Sequence, residues 1–193
     1  MIQKIRNVYI VVEGSSEKAF FTRLNSYCSQ MDIPINFKIE NAESHQLTKV
    51  LAAVKRAGKK IKKDKGGVLT TEVIVFLDYD VFKRDEDIKP YLNKFHQRLF
   101  FFEYNFEDFL VSLLPIEQRK IWEKICKENN HYTTPMKSSE VEHFIKKIFP
   151  DYKKGFCPLT EITQDHIANM EIAKYRENIP HATDFLLNYI SPN

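Results

Sequence analysis

Val8 to Val12 (Val-Tyr-Ile-Val-Val) and Val73 to Leu77 (Val-Ile-Val-Phe-Leu) are short, unbroken apolar runs rich in β-branched residues. Such runs suit strands covered on both faces. Between them, Phe20, Leu24, Tyr27, Cys28 and Met31 recur at helical spacing, as do Leu47, Val50, Leu51, Val54 and Ile61. Ile35 to Ile39 reads as a weaker strand between these helices, and Gly66-Gly67 breaks the second helix. Ser15 and Ser16 offer helix caps after Glu13-Gly14. A polar stretch from Asp87 to Phe95 reads as helix, and Arg98 to Phe102 as a fourth strand. From Glu107 onward the pattern is helical, over 107–114, 116–129, 139–149, 163–177 and 182–190, with capping-box spacing in Ser139-Glu140-Val141-Glu142.

The order is β-α-β-α-β-α-β followed by helices. Alternation of this kind predicts an α/β fold with a four-stranded parallel sheet flanked by helices. Residues 1–114 form the expected core and 115–193 a helical extension packed on it. The two strongest strands should lie side by side at the centre of the sheet. In open parallel sheets, ligands bind beyond the carboxyl ends of the strands.

Acidic residues stand at those ends. Glu13 follows the first strand, and Asp78-Tyr79-Asp80 follows the third. Two residues apart on extended backbone, Asp78 and Asp80 point to one side. Glu17 lies four after Glu13, in the first turn of the following helix. Strand-terminal Asp residues also serve as ordinary turn formers. Two acidic motifs at one edge of one sheet point further, to a site for magnesium. This hard cation takes oxygen ligands and keeps several waters, so a few fixed carboxylates suffice.

Val11-Val12-Glu13-Gly14 and Val75-Phe76-Leu77-Asp78-Tyr79-Asp80 resemble the Toprim domain, the fold shared by type IA topoisomerases, bacterial primases and OLD-type nucleases. Its signature, a glutamate after the first strand and Asp-x-Asp after the third, corresponds to Glu13, Asp78 and Asp80. A closer resemblance is to the RloB family, small Toprim-like proteins of bacterial defence loci. Phe106-Glu107-Asp108-Phe109-Leu110 is similar to its Phe-Glu-x-Trp-Leu segment, and Tyr152-Lys153-Lys154-Gly155 to its Tyr-x-Lys segment. Asn178-Ile179-Pro180-His181-Ala182-Thr183 is similar to its Asn-Pro-x-Thr ending. Two departures stand out: Glu17 sits four after Glu13, as in OLD nucleases, and Tyr104-Asn105 replaces the usual Ser-Asn-Pro. The resemblance implies Mg2+ or Mn2+ held by Glu13, Glu17, Asp78 and Asp80. It also implies phosphodiester chemistry carried by Glu13, Asp78, Asp80, Glu107 and Lys154. The expected activity is that of a nuclease, or nuclease subunit, in anti-phage defence. The alternative is a non-catalytic nucleic-acid-binding or regulatory module that needs a partner.

Charge bears on partners mainly through its distribution, because the net charge is only +3. Lys55, Arg56, Lys59, Lys60, Lys62, Lys63 and Lys65 crowd the end of the second helix, and Lys83 and Arg84 follow the Asp-x-Asp. Lys59, Lys60, Lys62, Lys63, Lys83 and Arg84 are therefore candidate nucleic-acid contacts; the other reading is a solvated helix face. There is no GxxxxGK[ST] loop, so any ATP-driven step would need a separate ATPase, which the RloB resemblance also implies. Cys28, Cys126 and Cys157 form no CxxC pair and read as ordinary reduced thiols. The histidines show no paired spacing and read as surface residues. No apolar run is long enough for a membrane span, and no signal-peptide core is visible, so a cytoplasmic setting is expected.

Overall fold

The computed structural model describes residues 5–64, 67–69, 72–82, 85–95, 98–102, 104–172 and 179–190. It is an α/β fold whose sheet carries β1 (Arg6–Val12), β2 (Ile35–Asn41), β3 (Ile74–Leu77) and β4 (Leu99–Phe101). All pairings are parallel, in the order β2-β1-β3-β4, so the two most apolar runs are central neighbours. Ile10 stands beside Ile74, and Val11 beside Val75.

The side chains of these strands alternate between two apolar layers. Val8, Ile10, Val12, Ile74 and Phe76 face one layer, and Tyr9, Val11, Val75 and Leu77 the other. Both faces are covered, which is why the runs are continuously apolar rather than alternating. The first layer holds α1 (Ser15–Gln30), α4 (Phe106–Ser112), α5 (Ile116–Glu128) and α6 (Ser138–Ile145). It also holds α7 (Gln164–Ile172) and α8 (Ala182–Ile190). Its centre is aromatic: Phe76 meets Phe21, Phe102 and Phe185 with ring centroids 5.2 to 5.5 Å apart. The second layer holds α2 (Leu47–Ile61) and α3 (Asp85–Phe95).

Because α1 and α2 leave opposite faces, the winding reverses between β1 and β3. That is the topological switch point, where open α/β sheets form their ligand crevice.

Several boundaries differ from expectation. Gly14, in extended backbone, caps α1; Ser15 and Ser16 lie inside the first turn. Before α6, the Glu140 carboxylate accepts the Lys137 backbone N–H at 2.8 Å, so the cap falls earlier than the Ser139 spacing suggests. That helix also ends at Ile145, short of 149. Beyond it the N–H groups of Ile148 and Phe149 both bond to the Ile145 carbonyl as a separate turn, and Pro150 ends that turn by pushing Phe149 out of helical backbone. The helix expected over 163–177 is seen as Gln164–Ile172, and its remainder lies outside the described residues. Among the described residues, no helix is long and apolar enough to cross a membrane.

Candidate functional site

β1 and β3 deliver Glu13 and Asp78 side by side. The backbone N–H of Asp78 donates to Glu13 Oε1 at 2.8 Å, tying the two strand ends together. Beyond Leu77 the chain bends instead of staying extended, so the shared direction of Asp78 and Asp80 has another cause. The Asp80 N–H donates to the Tyr104 carbonyl at 2.7 Å, which anchors the bend to the segment before α4. Tyr79, between them, points away and packs edge-on against Phe101, with centroids 5.6 Å apart.

Glu17 lies in the first turn of α1, buried, its carboxylate held by the N–H groups of Gly14 and of Glu17 itself. The space it fills exists because residue 14 has no side chain: a Cβ there would sit 2.9 Å from Glu17 Oε2. From α4, Glu107 accepts a short hydrogen bond from the hydroxyl of buried Tyr152. These elements enclose a cavity of about 590 Å3 lined by Glu13, Glu17, Asp78, Asp80, Glu107 and Lys154, with His45 at its rim. His45 Nδ1 stands 4.0 Å from Glu13 Oε2.

Carboxylates crowded together in a partly buried cavity resist ionisation. Burial, then the charges of Glu17 and Asp80, push Glu13 up to about 8. Burial, then Glu107, pushes Glu17 to about 7. Burial, then Asp108, pushes Asp80 to about 6, although a hydrogen bond from Asn105 opposes the shift. Asp78 is raised well above the usual range by burial and by its acidic neighbours, Glu13 first. Its Oδ1 is buried without a hydrogen-bond partner. A set of oxygen donors, one of them unpartnered, that oppose one another's ionisation suits a hard divalent cation, which would favour their charged forms. The residues present therefore fit the group that the sequence motifs imply.

A second polar centre adjoins this cavity, assembled from residues that no periodic pattern in the chain links. Asp108 accepts Trp122 Nε1 at 2.6 Å through Oδ1 and meets His131 Nε2 at 3.0 Å through Oδ2. The Met136 N–H donates to His131 Nδ1 at 2.9 Å. Cys126 completes a group of potential metal ligands with Asp108 and His131, all within 4.8 Å of one another. Their hydrogen bonds bear on that capacity. With Nδ1 accepting from Met136, the ring carries its proton on Nε2 and donates it to Asp108. Asp108 favours a charged imidazole against burial, but a second proton on Nδ1 would face the Met136 N–H. Both ring nitrogens and both Asp108 oxygens are thus engaged within the protein. His131 and His181 are buried, which corrects the expectation that the histidines lie at the surface. Asn105 joins the two centres: its Oδ1 accepts the Asp108 N–H at 2.9 Å, and its side chain also hydrogen-bonds to Asp80.

The basic run lies elsewhere. α2 starts at the rim of the cavity and runs antiparallel to the strands, so its last turn lies about 22 Å away at 1.5 Å per residue. Lys59, Lys62 and Lys63 are exposed there. Lys60 and Arg56 pair with Glu40 on β2. Lys83 and Arg84 fall outside the described residues. No family model, no curated protein and no solved structure matches the chain.

Proposed function

We propose that the chain is a metal-dependent nuclease, or the nuclease subunit of a bacterial anti-phage system, acting in the cytoplasm as a Toprim-type phosphodiester hydrolase. The observation that carries this reading is the unpartnered, buried Asp78 Oδ1 inside a cavity of mutually repelling carboxylates at the switch point of the sheet. Glu13, Glu17, Asp78 and Asp80 would hold Mg2+ or Mn2+. Such a cation, when bound, neutralises the clustered charge and lowers the pKa of a bound water.

The chain's own residues supply the rest. Glu107, steadied by the Tyr152 hydroxyl, would accept a proton or extend the ligand set. Lys154, on the cavity wall, offers a cation to the phosphate and to charge that develops on it. Asn105 holds Asp80 against the start of α4. Nucleic acid is the substrate, and a separately encoded ATPase supplies any energy-dependent step. The test is incubation of the full chain with labelled DNA and RNA, with and without Mg2+ or Mn2+, beside an Asp78→Ala control. Metal-dependent cleavage that the control lacks is the expected result. Cleavage retained by Asp78→Ala would remove the assignment.

A further inference from the structure

The loop after Pro150 borders two cavities and turns a different side chain into each. Lys154 and Gly155 line the acidic cavity. Asp151, Lys153 and Phe156 line a second one, of about 530 Å3, walled by Phe149, Pro150 and Pro158. Tyr152 belongs to both, so the two spaces share a wall. The reversal of direction occurs at Gly155, whose φ of +83° is a left-handed value that L side chains rarely adopt. Phe156 is 68% exposed, the most open large hydrophobic side chain among the described residues.

A lone exposed phenylalanine is ordinary. Here the ring stands one residue beyond a glycine turn, flanked by lysines and by a proline-walled hollow, beside the acidic cavity. A polyanion whose repeating unit joins a phosphate to a flat apolar ring matches that sequence of surfaces. We infer that Phe156 and the hollow it borders hold an unpaired nucleobase next to the phosphate engaged at the acidic cavity, which makes the substrate single-stranded nucleic acid. This rests on the reading of the acidic cavity as a phosphodiester site. Lys153 and Lys154 attract the backbone, and the ring stacks on the base, an interaction that tolerates any sequence because every base has a π-face. A base paired within a duplex keeps its faces buried in the stack and cannot lie on the ring.

The experiment places a reporter in the loop. Trp122 is buried, so Phe156→Trp adds the one exposed indole. Its fluorescence is titrated with a short single strand of mixed sequence, as DNA and as RNA, with the blunt duplex of the same sequence, and with vesicles of anionic lipid. Quenching by single strands and not by the duplex is expected; the DNA and RNA arms tell which strand is preferred. Phe156→Leu should weaken single-strand affinity about tenfold, as loss of one stacked base does, without altering metal-dependent stabilisation. Absent quenching, equal quenching by duplex, unchanged affinity in Phe156→Leu, or a response to vesicles alone would each overturn the inference. Strands cut without quenching defeat this inference and leave the hydrolase reading standing. Strands that quench and are never cut do the reverse.

Discussion

Glu13 Oε1 receives the backbone N–H of Asp78 at 2.8 Å, so a side chain at the end of one central strand fixes the backbone at the end of the other. One carboxylate oxygen of Glu13 is thereby committed to the fold. Glu13 both shapes the cavity and charges it, whereas Asp78 Oδ1 has no such duty.

That division predicts different outcomes at the two positions. Asp78→Asn and Asp80→Asn replace an ionisable carboxyl whose charge the cavity disfavours with a neutral group of the same shape, so each should melt at or above the wild-type temperature without divalent metal. Both should lose the metal-dependent rise, which for a single site at 100 times its Kd is about 2.7 kcal/mol. Melting curves with and without Mg2+ or Mn2+ check this. A full metal shift in either variant would show that the altered residue is no ligand.

The raised carboxylates set a pH dependence. Glu13, ordinarily near 4.5, titrates at about 8 in the fold, and Asp80, ordinarily near 3.8, at about 6. Between the ordinary and folded values the native state binds more protons than the unfolded chain, so stability falls as pH rises. Without metal, the melting temperature should therefore decline from about pH 5 to pH 8. Saturating Mg2+ should flatten the decline. A melting temperature that climbs across this window in metal-free buffer would contradict the burial of these groups.

Asp108 separates a structural network from a ligand set. Asp108→Ala strands the buried donors of Trp122 and His131, at about 1–3 kcal/mol each. Denaturant unfolding should show a loss of about 2–6 kcal/mol for the pair. If the carboxylate cavity is the metal site, as proposed, Cys126→Ala should by contrast leave any metal-dependent melting shift intact. Loss of the shift in Cys126→Ala would relocate the metal.

For the basic end of α2, replacing Lys59, Lys62 and Lys63 together with Ala should leave stability within about 0.5 kcal/mol, as exposed substitutions do. If they contact phosphates, the triple variant should bind nucleic acid more weakly on every sequence and with a shallower salt dependence. Lys60→Ala differs because it removes one of the two cations on Glu40. Equal salt slopes for wild type and triple variant would assign this face to solvation alone.

What the sequence revealed follows the range over which each signal acts. The central strands, their adjacency and the acidic residues at their ends were legible, because continuous β-branched runs bounded by Asp or Glu carry that information locally. The Asp108–His131 pair was not, since its partners are 23 residues apart, one in α4 and one in the turn after α5, and neither stands in a periodic pattern. Asp108 has one local sign, its place three residues after the capping Asn105. The cap at Gly14 was hidden for another reason. Serines are the stronger capping residues, and the demand for glycine comes from the Glu17 carboxylate folded over it. The separation of the basic run from the cavity was readable only from topology, once α2 was known to run back along the sheet.

The acidic cavity is assembled from distant parts of the chain. The Glu13–Asp78 contact spans 65 residues, and Glu107 is held by a tyrosine 45 residues further on. Each closure must be made across a long loop, which places the cavity among the late, non-local events of folding. A chain still emerging from the ribosome therefore lacks the cavity until Tyr152 is free to dock, and a truncated product that stops short of it carries the acidic motifs without their arrangement. In a stopped-flow refolding experiment, the response to divalent metal should appear with the final phase, after the sheet has collapsed, which makes it a clock for completion of the native state.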